Sequence, residues 1–306
     1  MKKSGLFIDE VTSIGQANSD KGGWIGEVRD EYVDGNMIGH TITGKEIFDY
    51  LTVDVDERFD VVSTYNNLAT DVHPPLYHIL LKIFYSFIPL TVSWRPGLIL
   101  NLIIYMLCNL VLFKICHKLF NNITIATLTM FLYAVSPPTL SSLVFIRMYI
   151  LLSLMTMLLL YEIILFLEKP RKILYPLITI TILLGMLTQY LYAIPAFFLC
   201  LVTLIILVKR KQIEEAVWFS ISSVAGVDLL FVVFPLLFVQ SGAKFFSDST
   251  IISSVMTNPV SLGFTACLKN IINSIHIVLT ESLPTVELSI VLAFVCVISV
   301  GRPKRR

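Results

Sequence analysis

Seven runs of apolar residues, most of them near the length of a bilayer crossing, constrain this chain more than anything else in it. The hydrocarbon core of a membrane is about 30 Å thick and takes roughly 20 apolar residues per helix. The runs extend from Pro96 to His117, Ile123 to Ser142, Leu143 to Leu167, Ile173 to Gln189, Tyr190 to Val208, Ala216 to Val239 and Leu288 to Gly301. The second is broken by Pro137-Pro138 and the last is short outright. Backbone inside lipid must satisfy its own hydrogen bonds, which predicts an all-α, polytopic transmembrane bundle. With 56% hydrophobic and 15% charged residues among 306, a water-soluble domain is excluded.

Charge is segregated along the chain. Met1 to Pro75 carries 14 of the 22 Asp and Glu and only 6 of the 23 Lys and Arg, a net of −8, which leaves +9 for the rest. A nucleic-acid binder would gather basic charge on a solvated face, and none is gathered here. Lys and Arg beside membrane spans mark cytoplasmic loops. Four basic groups, at Lys114 with Lys118, Lys169 to Lys172, Lys209 to Lys211 and Arg302 to Arg306, all fall inside only if the 36 apolar residues from Ile173 to Val208 cross twice, turning near Gln189 to Ala193. The expected organisation follows. Residues 1–75 form an acidic extracytoplasmic segment of short interfacial helices, centred on Thr43 to Tyr50 and Val62 to Ala69, with turns at Gly22-Gly23 and Asp34-Gly35-Asn36. Residues 76–90 form an interfacial or re-entrant helix, residues 91–239 a six-helix bundle, residues 240–287 an outer loop, and residues 288–306 a final span with a basic cytoplasmic end.

The cysteines Cys108, Cys116, Cys200, Cys267 and Cys296 show no CxxC spacing, so neither a zinc site nor a disulfide framework is implied. The start, Met1-Lys2-Lys3, precedes an apolar stretch too short for a signal peptide. An outer segment with no span before it reads as a chain lacking a preceding helix, and Gly301 to Arg306 reads as a stop in mid-bundle. The expectation is a fragment.

Several polar residues stand where chemistry is possible. Asp9-Glu10 follows Leu6-Phe7-Ile8, which would hold the pair at the membrane surface. Neighbours on a helix point about 100° apart, so one carboxylate can act while the other orients or binds metal, although an isolated Asp-Glu is also an ordinary helix start. In Asp71-Val72-His73-Pro74-Pro75 the prolines fix the backbone and present Asp71 and His73 rigidly, as a metal or phosphate site or as a stiff joint. Arg147 lies at the outer end of an apolar span, where a charge is costly and its guanidinium fork suits phosphate, with snorkelling to the headgroups as the plain alternative. Tyr149 follows it, and Gln189 opens the next outer turn, where Tyr192 fits an aromatic belt. Asp228 falls in mid-span as a proton relay or a hydrogen-bonded neutral acid, and Glu162 lies near the inner end of its span, within reach of water. The charge-derived topology sets Asp9, Glu10, His73, Arg147 and Gln189 on one membrane face.

Taken in order, the Asp-Glu of the first outer segment, His73-Pro74-Pro75-Leu76-Tyr77, Arg147-Met148-Tyr149-Ile150-Leu151-Leu152 and Leu187-Thr188-Gln189-Tyr190 resemble the GT-C glycosyltransferases. The nearest branch is the bacterial relatives of the protein O-mannosyltransferases and the aminoarabinose lipid A transferase, and the likeness runs from Ile8 to about Val208. The resemblance implies inverting transfer of a sugar from a polyprenyl-phosphate donor to a lipid, glycan or protein hydroxyl at the extracytoplasmic face of the plasma membrane. By it, Asp9 is the general base and Glu10 its neighbour for acceptor or metal. Arg147 and His73 neutralise the lipid phosphate, directly or through a divalent ion with Glu10 and His73 as candidate ligands. Family members carry a helix before the Asp-Glu and more helices after this chain stops, so a truncated, non-catalytic relative is one alternative. A transporter or lipid flippase coupled through Asp228 and Arg147 is another, although neither an internal repeat nor a paired midplane break is present.

Overall fold

The computed structural model describes residues 5–23, 25, 42–68 and 71–235, and every element among them is helical. The expected outer loop 240–287, the final span and basic end 288–306, and the turn at Asp34-Gly35-Asn36 lie outside the described residues. Four short helices come first: α1 (Ile8–Asn18), α2 (Gly44–Leu51), α3 (Val61–Asn67) and α4 (Leu76–Tyr85). The apolar part follows as α5 (Arg95–Phe120), α6 (Ile123–Val135), α7 (Pro137–Val144), α8 (Tyr149–Glu168), α9 (Leu174–Thr188), α10 (Ala193–Lys209) and α11 (Ile213–Val233). Four of these helices are long and apolar enough to cross a membrane, and five if the bent pair α6 and α7 counts as one. The protein is a membrane protein by this measure.

Local chemistry sets the boundaries. Thr43 and Glu46 cap α2 reciprocally, the Thr43 hydroxyl accepting from the Glu46 amide at 3.3 Å and the Glu46 carboxylate from the Thr43 amide at 2.6 Å. Asn121 ends α5 in the left-handed conformation, and Asn122 at once caps α6 by accepting the Thr124 and Ile125 amides. Two asparagines thus make a complete helix-to-helix turn. Pro137 and Pro138 supply no amide hydrogens, so α6 stops at Val135 and α7 departs at 56° to it. The expected span from Ile123 to Ser142 is therefore a broken one. The run from Leu143 is likewise not one helix: Phe145 is extended, and α8 begins only at Tyr149. The 36-residue run does turn where expected, through a short 3-10 turn at Tyr190–Tyr192, but α9, the first of its two expected crossings, has only 15 residues and falls short of the length of a candidate span. The turn is tight because Tyr192 lies against Gly185, where an added Cβ would come within 2.3 Å of its ring.

Helix α8 is the axis of the bundle. Of its most apolar stretch 67% is buried, against 33% for α5 and 28% for α11, whose outer faces carry exposed Ile, Leu, Val and Phe suited to lipid. At one end of the bundle, Lys118 of α5 pairs with Glu168 of α8, and Arg210 after α10 donates to the Leu167 carbonyl at 2.7 Å. At the other end sit the four short helices. They are held as a unit through the last carbonyls of α1, which no helical amide reaches. Thr64 donates to Ala17, Asn67 to Gln16 and Ser19, and buried Lys82 to Asn18 at 3.1 Å. A cation at a helix C-terminus also meets the negative end of its dipole.

Asn101 joins this cap to the bundle. Buried on α5, it accepts from the Tyr77 hydroxyl at 2.9 Å and donates to the carbonyls of Leu143 (3.1 Å) and Phe145 (2.9 Å) in the segment between α7 and α8. Replacing it by Leu takes the partner from the buried Tyr77 hydroxyl and from the Leu143 carbonyl, each loss costing about 1–3 kcal/mol, while the Phe145 carbonyl keeps the Arg147 amide. Asn101→Leu should lower the unfolding midpoint of the detergent-solubilised protein by that order, read by thermal denaturation.

Candidate functional site

The site forms where the first turn of α1 meets the segment leading into α8. Glu10 is wholly buried, and its two carboxylate oxygens face two backbone amides: Phe7 at 2.9 Å, at the start of its own helix, and Ile146 at 2.8 Å, 136 residues away. Ile146 also packs against Gly97 of α5, where a Cβ would come within 2.7 Å of it. The next residue, Arg147, is thereby carried to α1. Its guanidinium, 8% exposed, donates to the Ser13 hydroxyl at 2.9 Å and to the Asp9 carbonyl at 3.4 Å, and stands 3.5 Å from Nε2 of His73. Its Nε is buried without a partner. Among the described residues no carboxylate lies at ion-pair distance from Arg147. Its partners are a carbonyl, a hydroxyl and an imidazole, and none of them is an anion. A cation so placed has lost water without gaining an anion, and an anionic ligand would restore the balance.

Asp9 itself is exposed, one position before the buried Glu10. Adjacent residues thus divide inward and outward: Glu10 clamps backbone, and Asp9 exposes its carboxylate while its backbone carbonyl meets the guanidinium. His73 makes a 2.8 Å hydrogen bond through Nδ1 to Asp71, which is nearly buried. Burial opposes the Asp71 charge, but the hydrogen bond from His73 leads the opposing effects, joined by a positive charge on that ring whenever it is protonated, and the carboxyl is held down at about 2. Tyr149, 39% exposed, stacks on Phe145, which meets Phe7 edge-on at 6.0 Å, so an aromatic ledge flanks Asp9 and Arg147. Gln189 follows the end of α9 at the same end of the bundle and makes its backbone bonds to Gly185 and Tyr192; no hydrogen bond joins it to Arg147.

The structure thus gathers Asp9, Glu10, Asp71, His73 and Arg147. It adds two residues that carry no sequence signal of their own, Ser13 and His78. Ser13 is one turn beyond Asp9 on α1, a spacing that places it on the same face. His78 is fully buried with no well-formed hydrogen bond to either ring nitrogen, only the Pro74 carbonyl standing near enough to favour a proton there. Burial, then the neighbouring His73 and Arg147, push its pKa down to about 3 against a pull from Asp71. Two polar residues of the spans fall elsewhere. Glu162 is buried rather than in reach of water, accepting from Thr181 at 2.8 Å. Asp228 is on the exposed face of α11 and makes no hydrogen bond to a described residue, so it is not joined to Arg147.

A divalent ion does not fit this donor set. Both oxygens of Glu10 already receive amide hydrogens, and among the described residues no three His, Cys, Asp or Glu side chains converge on a possible metal position. Compared with known proteins, the chain matches no family model, no curated protein and no solved structure.

Two outcomes follow from this geometry. In Glu10→Gln the amide NH2 must face one of two backbone N–H groups, so the clamp loses a bond and gains a donor clash; stability should fall by about 1–3 kcal/mol in chemical denaturation. For His78, the unfolded chain takes up a proton below about 6.5 whereas the folded protein resists until about 3, so stability is whole above 6.5 and drains as pH falls through that window. His78→Leu should flatten the slope of unfolding free energy against pH across that range.

Proposed function

We propose that the protein is a membrane glycosyltransferase that moves a sugar from a polyprenyl-phosphate donor to a hydroxyl of a lipid, glycan or protein acceptor, with inversion, at the extracytoplasmic face. The observation that carries this reading is the buried Arg147 guanidinium, held without an anion against the backbone carbonyl of Asp9, whose side chain is exposed, at one end of an apolar bundle. A lipid-linked phosphate supplies the anion that this cation lacks, and an end of the bundle is where a lipid headgroup resides. The ordered resemblance to the GT-C enzymes agrees with it.

In the proposed reaction Asp9 accepts the proton of the acceptor hydroxyl, whose oxygen attacks the anomeric carbon from the face opposite the phosphate. The carbon–oxygen bond to phosphate breaks as the new glycosidic bond forms, and the charge developing on the departing phosphate is stabilised by Arg147. Fixed donors in a partly dehydrated site are worth more to a developing charge than the same donors in water. Glu10 serves as the clamp that keeps Ile146-Arg147 against α1, and no step uses a metal. The basic residues Lys118 and Arg210 at the opposite end of the bundle suit the cytoplasmic side, which supports an outward-facing site.

Asp9→Asn should abolish transfer from a polyprenyl-phosphate sugar in membranes in which the protein still accumulates. Undiminished transfer would remove Asp9 as base. Arg147→Lys keeps the charge but not the fork and should lower the rate by about 100-fold in the same assay.

A further inference from the structure

The bonds running from Asp71 through His73 to Arg147 have a direction. An ionised carboxylate can only accept, and a guanidinium can only donate. Between them, His73 presents Nδ1 to Asp71 Oδ2 at 2.8 Å and Nε2 to an Arg147 N–H at 3.5 Å. Both contacts are satisfied by a single form of the ring, the neutral tautomer with its proton on Nδ1 and its lone pair on Nε2. The other neutral tautomer would set a bare nitrogen against the carboxylate and a hydrogen against a hydrogen.

We propose that Asp71 is a positioning residue of the Arg147 site: it locks His73 in the Nδ1–H tautomer, and the Nε2 lone pair then holds the guanidinium fork turned toward the lipid phosphate. This rests on the reading of Arg147 as the phosphate ligand. The arrangement also explains why the carboxylate sits one imidazole away instead of pairing with Arg147 directly. A direct pair would occupy the fork and exclude an anion, whereas an imidazole spacer places negative charge nearby and leaves N–H groups available. The low pKa of Asp71 keeps it an acceptor at neutral pH. Rigidity comes from Pro74 and Pro75, which restrict the backbone immediately after His73.

The test uses the full chain in lipid nanodiscs at about pH 8, labelled with 15N-histidine. Of the five histidines, His73 is assigned by the resonances missing in His73→Gln. The expected result for the unaltered protein is a protonated Nδ1 and a pyridine-type Nε2. A protonated Nε2 would overturn the proposal whatever any variant does, so failure of a variant to fold cannot shield it. The Asp71→Asn amide can donate to Nδ1 as well as accept from it. It should therefore bring up the Nε2–H tautomer and weaken binding of farnesyl phosphate by about 100-fold, as expected for a displaced fork. Unchanged tautomer and unchanged affinity in Asp71→Asn would sink the positioning role. Inorganic phosphate is titrated in parallel; farnesyl phosphate binding more tightly supports a lipid source for the anion. If farnesyl phosphate binds the unaltered protein no better than it binds Arg147→Gln, the phosphate reading of the site fails, and the histidine tautomer still reports separately on the bond to Asp71.

Discussion

The rest of the site depends on one carboxylate that accepts two backbone amides. Glu10 ties the first turn of α1 to Ile146, across 136 residues of chain, and is wholly buried in doing so. A buried carboxylate is stable only when hydrogen bonds replace its water, and two amides at 2.8 and 2.9 Å do that. Because Ile146 precedes Arg147, the clamp sets the depth of the guanidinium. Because Glu10 follows Asp9, it sets the direction of the neighbouring carboxylate. The separation of about 100° between successive helical side chains turns one acidic dipeptide into a fixed anchor and an exposed group.

Anchoring an arginine this way requires a segment free of helical bonding. Between Val144 and Tyr149 the backbone is extended or turning, so the Ile146 amide and the Leu143 and Phe145 carbonyls are available to Glu10 and Asn101. Pro137 and Pro138 prepare this by ending α6 early and redirecting α7. A continuous helix would have bonded those groups internally and left Asn101 and Glu10 unsatisfied. The irregularity is tolerable because it lies at the end of the bundle, covered by α1 and α5, and not in lipid.

The crossings were largely legible in the sequence because lipid imposes length and composition together. The short helices from Thr43 and Val61, the apolar α4 and the turn near Gln189 were legible for a similar reason, since Pro, Thr and Asp at the helix starts have local jobs. The break at Ser136 was announced by Pro137-Pro138, but the one at Phe145 was less legible. Leu143 to Met148 is as apolar as any helix, and the competing bonds that unwind it come from Asn101 and Glu10, far away in sequence. Asp9, Glu10, His73 and Arg147 could be singled out because charge beside apolar runs is expensive. Their division of labour could not, because it turns on which atoms meet: Glu10 as a ligand and Glu10 as a clamp have the same sequence. Ser13 and His78 carried no signal, one being a common helix residue and the other an ordinary histidine on an apolar face.

The polar cluster and the apolar bundle place opposite demands on the same few residues. A buried guanidinium such as that of Arg147 attracts an anion more strongly than one in water, since its field is screened less, but burial also penalises an unpaired cation. A carboxylate in direct contact would remove the penalty and the receptor together. The observed compromise puts no anion at the guanidinium, only Ser13, the Asp9 carbonyl and His73, with Asp71 one ring away. His78 completes it from below: a second histidine that burial keeps neutral adds polar surface near the cation without adding repulsion. The cap of four short helices is therefore more than a lid on the bundle. It is the element that brings acceptors to a charge delivered by a transmembrane helix, and the carbonyls at the end of α1, held by Thr64, Asn67 and Lys82, fix it where those acceptors are needed.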